Sequence, residues 1–277
     1  MKVHFWGVRG SIPSPGSHTV RYGGNTPCLT VTLDQDHTLV LDAGTGLFRM
    51  GRQAPPGAHT YFFLFSHIHW DHIQGFPMFR PHMNPDVTIR ILCSMNPDWS
   101  SRILSQLDGL YFPITQDELL ANVSSYAGDI NELLTPFDIS LSWIRLNHRG
   151  ECFGYRIQSS TGTLLYITDH EMDAEEHVFS TFSELASFCK GADVLIHDAQ
   201  LTADELPAKA GWGHSAVERV CELAQRSDIP RIILIHHDPE RSDDEIDGIV
   251  ERANAGFLDA GVACECVAAY EGLEITF

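Results

Sequence analysis

Phe65-Ser66-His67-Ile68-His69-Trp70-Asp71-His72 decides how this chain is read. An apolar run of strand character, Tyr61–Phe65, ends there and delivers three histidines and a carboxylate in quick succession. Imidazole nitrogen and carboxylate oxygen are donors that zinc and similar divalent ions favour. Residues that alternate by two just past a strand end point the same way, so His67 and His69 are placed to share one ion. Asp71 and His72 then turn toward a second position as the chain enters a helix. A chance cluster on a polar turn is the competing reading, and four donors at this spacing argue against it.

Outward from this stretch the pattern is strand-rich first, then alternating. Apolar runs of strand length fall at Val3–Val8, Cys28–Leu33, Thr38–Leu41, Val87–Leu92, Ile139–Leu146, Cys152–Gln158, Leu164–Ile167, Val194–Ile196, Arg231–Ile235 and Ala263–Ala268. Ser180–Lys190, His214–Arg226 and Asp243–Leu258 carry helical spacing, the last opening on acidic residues suited to a helix N-terminus. Sheets covered by helices on their outer faces fit this order. The least regular stretch, Ser94–Pro136, has Pro97, Pro113 and Pro136, with Trp99, Tyr111 and Phe112 expected to be exposed. It reads as an insertion that caps the core, forms a lid or makes a dimer contact. No linker divides the chain, so residues 1–277 are expected to form one domain.

Composition narrows the function. The chain is 43% hydrophobic and carries a net charge of −19. So acidic a surface disfavours a large nucleic-acid partner and an anionic membrane, unless bound metal ions provide a cationic focus. No run approaches the roughly 20 apolar residues of a membrane helix. The start, MKVHFWGVRGSIP, reads as a strand and glycine turn rather than a secretion signal, which predicts a cytoplasmic protein. Seven scattered cysteines without a CxxC pair are expected to be reduced, with Cys264 and Cys266 on one strand face.

The His67–His72 pattern, HxHxDH, resembles the signature of the metallo-β-lactamase superfamily, and further matches follow in order along nearly the whole chain. Asp42-Ala43-Gly44-Thr45-Gly46 is similar to its strand-end DxG loop; Asn147-His148, Thr168-Asp169 and Ile235-His236-His237-Asp238 resemble its later ligand segments. The resemblance implies an α/β fold, a four-layer αββα sandwich of two mixed sheets with helices on the outer faces. It implies a metal-dependent hydrolase with two divalent ions, Zn²⁺ first, with Mn²⁺ or iron as alternatives. His67, His69 and His148 would hold one ion, Asp71, His72 and His237 the other, and Asp169 would bridge. His236 is the rival for the last place; His237 is preferred because in related families the ligand follows the strand's apolar residues by one polar step. His170 is expected to be an exposed turn residue.

Two segments point to the ribonuclease Z and phosphonate-pathway phosphodiesterase-like branch. Val194–Gln200 is similar to a segment in which an acidic residue follows a strand, and Gly211–Ala216 to a glycine–His–Ser segment opening a helix. Carried over, His214 would be the proton donor and Asp198 its orienting partner, with Asp71 positioning ion and hydroxide. A packed helix-start histidine is the plainer reading of His214. Trp6–Ser11 and Tyr22–Thr26 are also typical of this branch, which makes Arg9, Ser11 and Asn25 candidate substrate contacts, with Arg149 and Arg156 behind them. The acid surface, and the want of a Gly/Pro- and Lys-rich arm, favour a small, nucleotide-sized phosphodiester, with a cyclic nucleotide as a candidate, over tRNA 3′-processing. A thioester or other acyl hydrolase and a catalytically silent metal-binding regulator are the alternatives.

Overall fold

The computed structural model describes residues 1–277 and shows two mixed sheets. The first contains β1 (Lys2–Gly7), β2 (Cys28–Thr32), β3 (His37–Leu41), β4 (His59–Leu64), β5 (Val87–Leu92), β6 (Asn122–Tyr126) and the C-terminal β13 (Glu274–Thr276), ordered β13-β1-β2-β3-β4-β5-β6. The second contains β7 (Ser140–Arg145), β8 (Phe153–Ser159), β9 (Gly162–Ile167), β10 (Val194–Asp198), β11 (Arg231–Ile235) and β12 (Glu265–Ala268), ordered β12-β11-β10-β9-β8-β7. Strands β3 to β6 run parallel, as do β9 to β12, while hairpin-like antiparallel pairs close the remaining ladders.

Eight helices accompany the sheets: α1 (Gly46–Arg52), α2 (Trp70–Ile73), α3 (Asp98–Leu104), α4 (Ile130–Leu134), α5 (Phe182–Cys189), α6 (Leu206–Lys209), α7 (Val217–Arg226) and α8 (Asp243–Asp259). None is long and apolar enough to cross a membrane. The second sheet explains the continuous apolar runs read from the sequence. Along β9, Leu164 and Tyr166 pack into the core shared with the first sheet, whereas Leu165 and Ile167 pack under the helices. β11 divides in the same way, Ile233 and Ile235 facing one side and Ile232 and Leu234 the other. A strand buried on both faces has no polar side to show, so alternation vanishes from its sequence. Leu185 of α5, Val220 and Leu223 of α7 and Ile249 of α8 complete the outer layer. Helix α8 starts on a capping box, in which Ser242 Oγ accepts from the Glu245 amide and the Glu245 carboxylate takes the Ser242 amide at 2.7 Å.

Segment 94–136 differs from its expected character. It contributes β6, paired parallel to β5 at the sheet edge, and the short helices α3 and α4. Trp99 is buried, with its ring 5.8 Å from that of Phe153, so only Tyr111 of the three aromatics stands fully in solvent. Strand β6 escapes a periodicity reading because Asn-Val-Ser-Ser-Tyr is largely polar, and an edge strand needs no apolar face on both sides. All seven cysteines are free thiols, and Cys264 and Cys266 do pack toward the same helix layer.

Candidate metal centre

The parallel strands of both sheets end at a common rim, and nearly every donor of the site lies just past such an end. This is where open α/β sheets place their ligand sites. His67 and His69 follow β4, and Asp71 and His72 open α2. Asp169 follows β9, His236 follows β11, Asp198 is the last residue of β10, and His148 lies in the turn between β7 and β8.

Their side chains converge on one buried carboxylate. Asp169 Oδ2 lies 3.7 Å from His67 Nε2 and 3.7 Å from His148 Nε2. Its other oxygen, Oδ1, lies 3.3 Å from His72 Nε2 and 3.2 Å from His236 Nε2. His148 Nε2 also faces His69 Nδ1 at 3.0 Å, and Asp71 Oδ2 stands 3.1 Å from His236 Nε2 and 3.3 Å from His72 Nε2. The result is two donor groups, His67–His69–His148–Asp169 and Asp71–His72–His236, joined through Asp169, with His214 close enough to Asp169 and His236 to make a third. Burial disfavours the Asp169 anion, but His236, His72 and His67 hold its pKa well below the ordinary carboxylate range. Burial likewise pushes His148 down to about 4, so its ring is neutral and able to donate a lone pair.

These residues fit divalent cations. His67 Nε2, His72 Nε2 and Asp169 Oδ1 are buried without a hydrogen-bond partner, which is costly unless a ligand meets them. Nitrogen and oxygen donors in this ratio match zinc and its neighbours in the first transition row.

A layer of partners fixes the donor rings. Asp42, at the head of the DxG loop and not among the expected site residues, accepts from the Ser66 amide at 2.7 Å and from Tyr166 Oη at 2.7 Å, and pairs with His72 Nδ1 at 2.8 Å. A carboxylate behind a ligating imidazole sets its tautomer and ring angle. The available signal was the same as for Asp169, an acidic residue at the end of an apolar strand. His148 Nδ1 points to Gly213 O at 3.0 Å. Gly213 has a φ of +90°, and a Cβ there would fall 2.0 Å from His148 Nδ1. A Gly213→Ala variant is therefore expected to lose roughly 1–3 kcal/mol of stability from the strained backbone alone, and to bind substoichiometric metal because His148 is displaced. Thermal unfolding with elemental analysis checks both.

His214 and Asp198 come together as expected. His214 Nδ1 sits 3.1 Å from Asp198 Oδ2, and the ring stacks on His236 with centroids 5.0 Å apart. The Ser215 and Gln200 amides hold the same carboxylate at 3.1 and 2.9 Å. Burial opposes charge on His214, yet Asp198 outweighs it and raises the pKa to about 9.

Several expectations are corrected. The last donor is His236, not His237. β11 stops at Ile235, and His236 takes a left-handed backbone with φ 60°, which swings its ring into the donor group. Simple alternation past the strand end fails at that residue. His237 turns the other way, its Nε2 on Ala269 O at 3.0 Å, while its backbone bonds Val8 and Gly10. Burial keeps its pKa down near 3. Replacing His236 with Ala should abolish stoichiometric metal binding, whereas His237→Ala should keep both metal and activity and lose about 1 kcal/mol or more from the severed buried bond; metal analysis and denaturant unfolding separate the two.

His170 is buried rather than exposed, its Nδ1 accepting the Asn147 amide at 2.9 Å. Arg9 is fully buried, and its guanidinium donates to Gly23 O, Asp238 O and Arg241 O, so it is spent on tying loops together. Asn25 is bound through amide and side chain to Glu271, and Arg156 to Phe188 O and Lys190 O at the end of α5. Ser11 does reach the site, but through its backbone, which donates to Asp71 Oδ2 at 2.8 Å. Arg149 lies next to His148, in the wall of an adjoining cavity.

A family model described as the Beta-lactamase superfamily domain matches residues 37–237, the span from β3 to the last donor strand. The chain belongs to this superfamily. Its fold and donor set are those of a metal-dependent hydrolase. A ribonuclease Z from Thermoplasma volcanium is 33% identical over 32% of the superfamily chain described here and 28% of its own length, so that match spans under a third of the relative. A ribonuclease Z from Picrophilus torridus is 22% identical across 95% of this hydrolase and 94% of its own chain. Among solved structures, the metallo-β-lactamase fold protein YhfI from Bacillus subtilis superposes with a TM-score of 0.67 at 18% identity, covering 99% of this chain and 98% of its own.

Proposed function

We propose that this hydrolase cleaves a small phosphodiester with two bound divalent ions, zinc first. The observation that carries the reading is the His214–Asp198 pair, an imidazole braced by a buried carboxylate and stacked beside donor His236. Cleavage of a diester's P–O bond expels an alkoxide, a poor leaving group unless it receives a proton, and this pair stands ready to give one. With Nδ1 committed to Asp198, Nε2 is the atom that releases it. When bound, the ions supply an acidified water and positive charge against the phosphate oxygens. His67, His69, His148 and Asp169 would hold one ion, and Asp71, His72, His236 and Asp169 the other. The Ser11 amide keeps Asp71 in place. Likeness to ribonuclease Z proteins supports phosphodiester chemistry, while the net charge of −19 favours a small substrate over RNA.

The test is turnover by the metal-loaded protein of bis(p-nitrophenyl) phosphate, a thioester and a precursor tRNA. Diester turnover is expected. Thioester hydrolysis without diester turnover would make the protein an acyl hydrolase, tRNA cleavage alone would make it a processing nuclease, and full metal loading with no turnover would make it a regulator.

A further inference from the structure

One carboxylate joins the segment that follows β9 to the loop that precedes α7. Glu171, two residues beyond Asp169, is buried, and it accepts the Gly211 amide on Oε1 at 2.8 Å and the Gly213 amide on Oε2 at 2.9 Å. Both glycines sit at positive φ, 82° and 90°, a backbone form that glycine adopts without strain. The main chain of Glu171 works in the same neighbourhood. Its amide donates to Asn147 O at 2.9 Å, and Asn147 Nδ2 donates to Glu171 O at 3.2 Å. Glu171 thus holds both the residue before His148 and the residue on which His148 Nδ1 rests.

The 3.0 Å bond between His148 Nδ1 and Gly213 O decides what that ring can do. A carbonyl only accepts, so Nδ1 carries the proton. Nε2, the atom facing Asp169 and His69, then keeps its lone pair for an ion. Gly213 O sets the ring, and the Glu171 carboxylate grips the amide of that same glycine. His214 follows Gly213 directly but is held separately. The Ser215 amide donates to Asp198 Oδ2 at 3.1 Å and Ser215 Oγ to His170 O at 2.6 Å. The loop is lashed down twice, by Glu171 on the His148 side and by Ser215 on the His214 side.

We infer that Glu171 is a positioning residue for the ion of the His67–His69–His148–Asp169 group: by gripping the Gly211 and Gly213 amides it sets Gly213 O against His148 Nδ1 and aims Nε2 at the ion. The inference rests on the two-ion reading of the centre and not on the choice of substrate. A carboxylate suits the task because two oxygens meet two N–H donors. Glutamine offers one oxygen and one amino group, so one loop amide would face a donor and turn away. His148 would lose its fixed acceptor. Asp71 and His72 of the other group are braced elsewhere, by the Ser11 amide and by Asp42.

The experiment titrates zinc into the full chain against a competing chelator. Wild type is expected to take two ions. Glu171→Gln should keep one at wild-type affinity and bind the other about 10–100-fold more weakly, the usual cost of a lost partner behind a ligand. In a His148→Ala background the same substitution should cost nothing further, since the residue it acts through is gone. Asp173, the next acid along, pairs with Arg219 at 3.1 Å on the surface, and Asp173→Asn should leave both ions untouched. Should Glu171→Gln not fold, Glu171→Asp carries the test, with selective loss of one ion again expected. Equal weakening of both ions, wild-type affinity for both, a further loss on top of His148→Ala, or a matching loss in Asp173→Asn would overturn the positioning role and leave the two-ion centre standing. A wild type that binds no zinc would overturn the centre and this inference together.

Discussion

Asp169→Asn should leave a folded protein that holds less than one ion per chain and cleaves bis(p-nitrophenyl) phosphate at least about 10³-fold more slowly, beyond the 10–100-fold typical of partners behind a ligand. The reason is the division of labour between its oxygens. Oδ2 faces His67 and His148, and Oδ1 faces His72 and His236, so no other side chain belongs to both donor groups. An amide nitrogen in place of one oxygen turns an acceptor into a donor and removes the only shared charge. Elemental analysis beside steady-state rates decides the matter. Normal metal content in this variant would show that the two groups fill independently.

His214→Ala should behave differently. Metal content is expected to stay at the wild-type level, because His67, His69, Asp71, His72, His148, Asp169 and His236 remain. The rate on an alkyl diester should fall by roughly 10²–10⁴, the usual worth of a positioned acid. The rate on bis(p-nitrophenyl) phosphate should fall far less, because p-nitrophenolate departs without a proton. Equal losses on both esters would assign His214 to binding the ion and not to proton transfer. An Asp198→Asn variant should share the same leaving-group dependence, since its role is to hold Nδ1 and raise the pKa of the ring.

Much of this architecture was legible in the chain because its chemistry is local. His67 to His72 lie together, and each strand bearing a donor announces itself as an apolar run ending on a polar residue. β5 and β11 coincide with the runs read from sequence, Val87–Leu92 and Arg231–Ile235. What stayed hidden depends on backbone conformation or on distant partners. The choice between His236 and His237 turns on a single left-handed residue, which no periodicity reveals. Arg9 reads as a phosphate contact because a buried guanidinium meeting only carbonyls is rare, and two of its three carbonyl partners, Asp238 and Arg241, lie more than two hundred positions away. Asp42 and Gly213 likewise gain meaning only once His72 and His148 are set against them. Strands β6 and β13 are short, polar edge pieces with little pattern to read.

The donors are contributed by both layers of the sandwich: His67, His69, Asp71 and His72 from the first sheet, His148, Asp169 and His236 from the second. Filling the centre thus rivets the two halves at their common edge, and His237, bonded through its backbone to Val8 and Gly10, stitches the seam immediately alongside. Chelation should accordingly do more than silence the protein; it should lower the melting temperature and let the halves part first along that seam, because ligand that binds only the folded form adds its binding energy to folding.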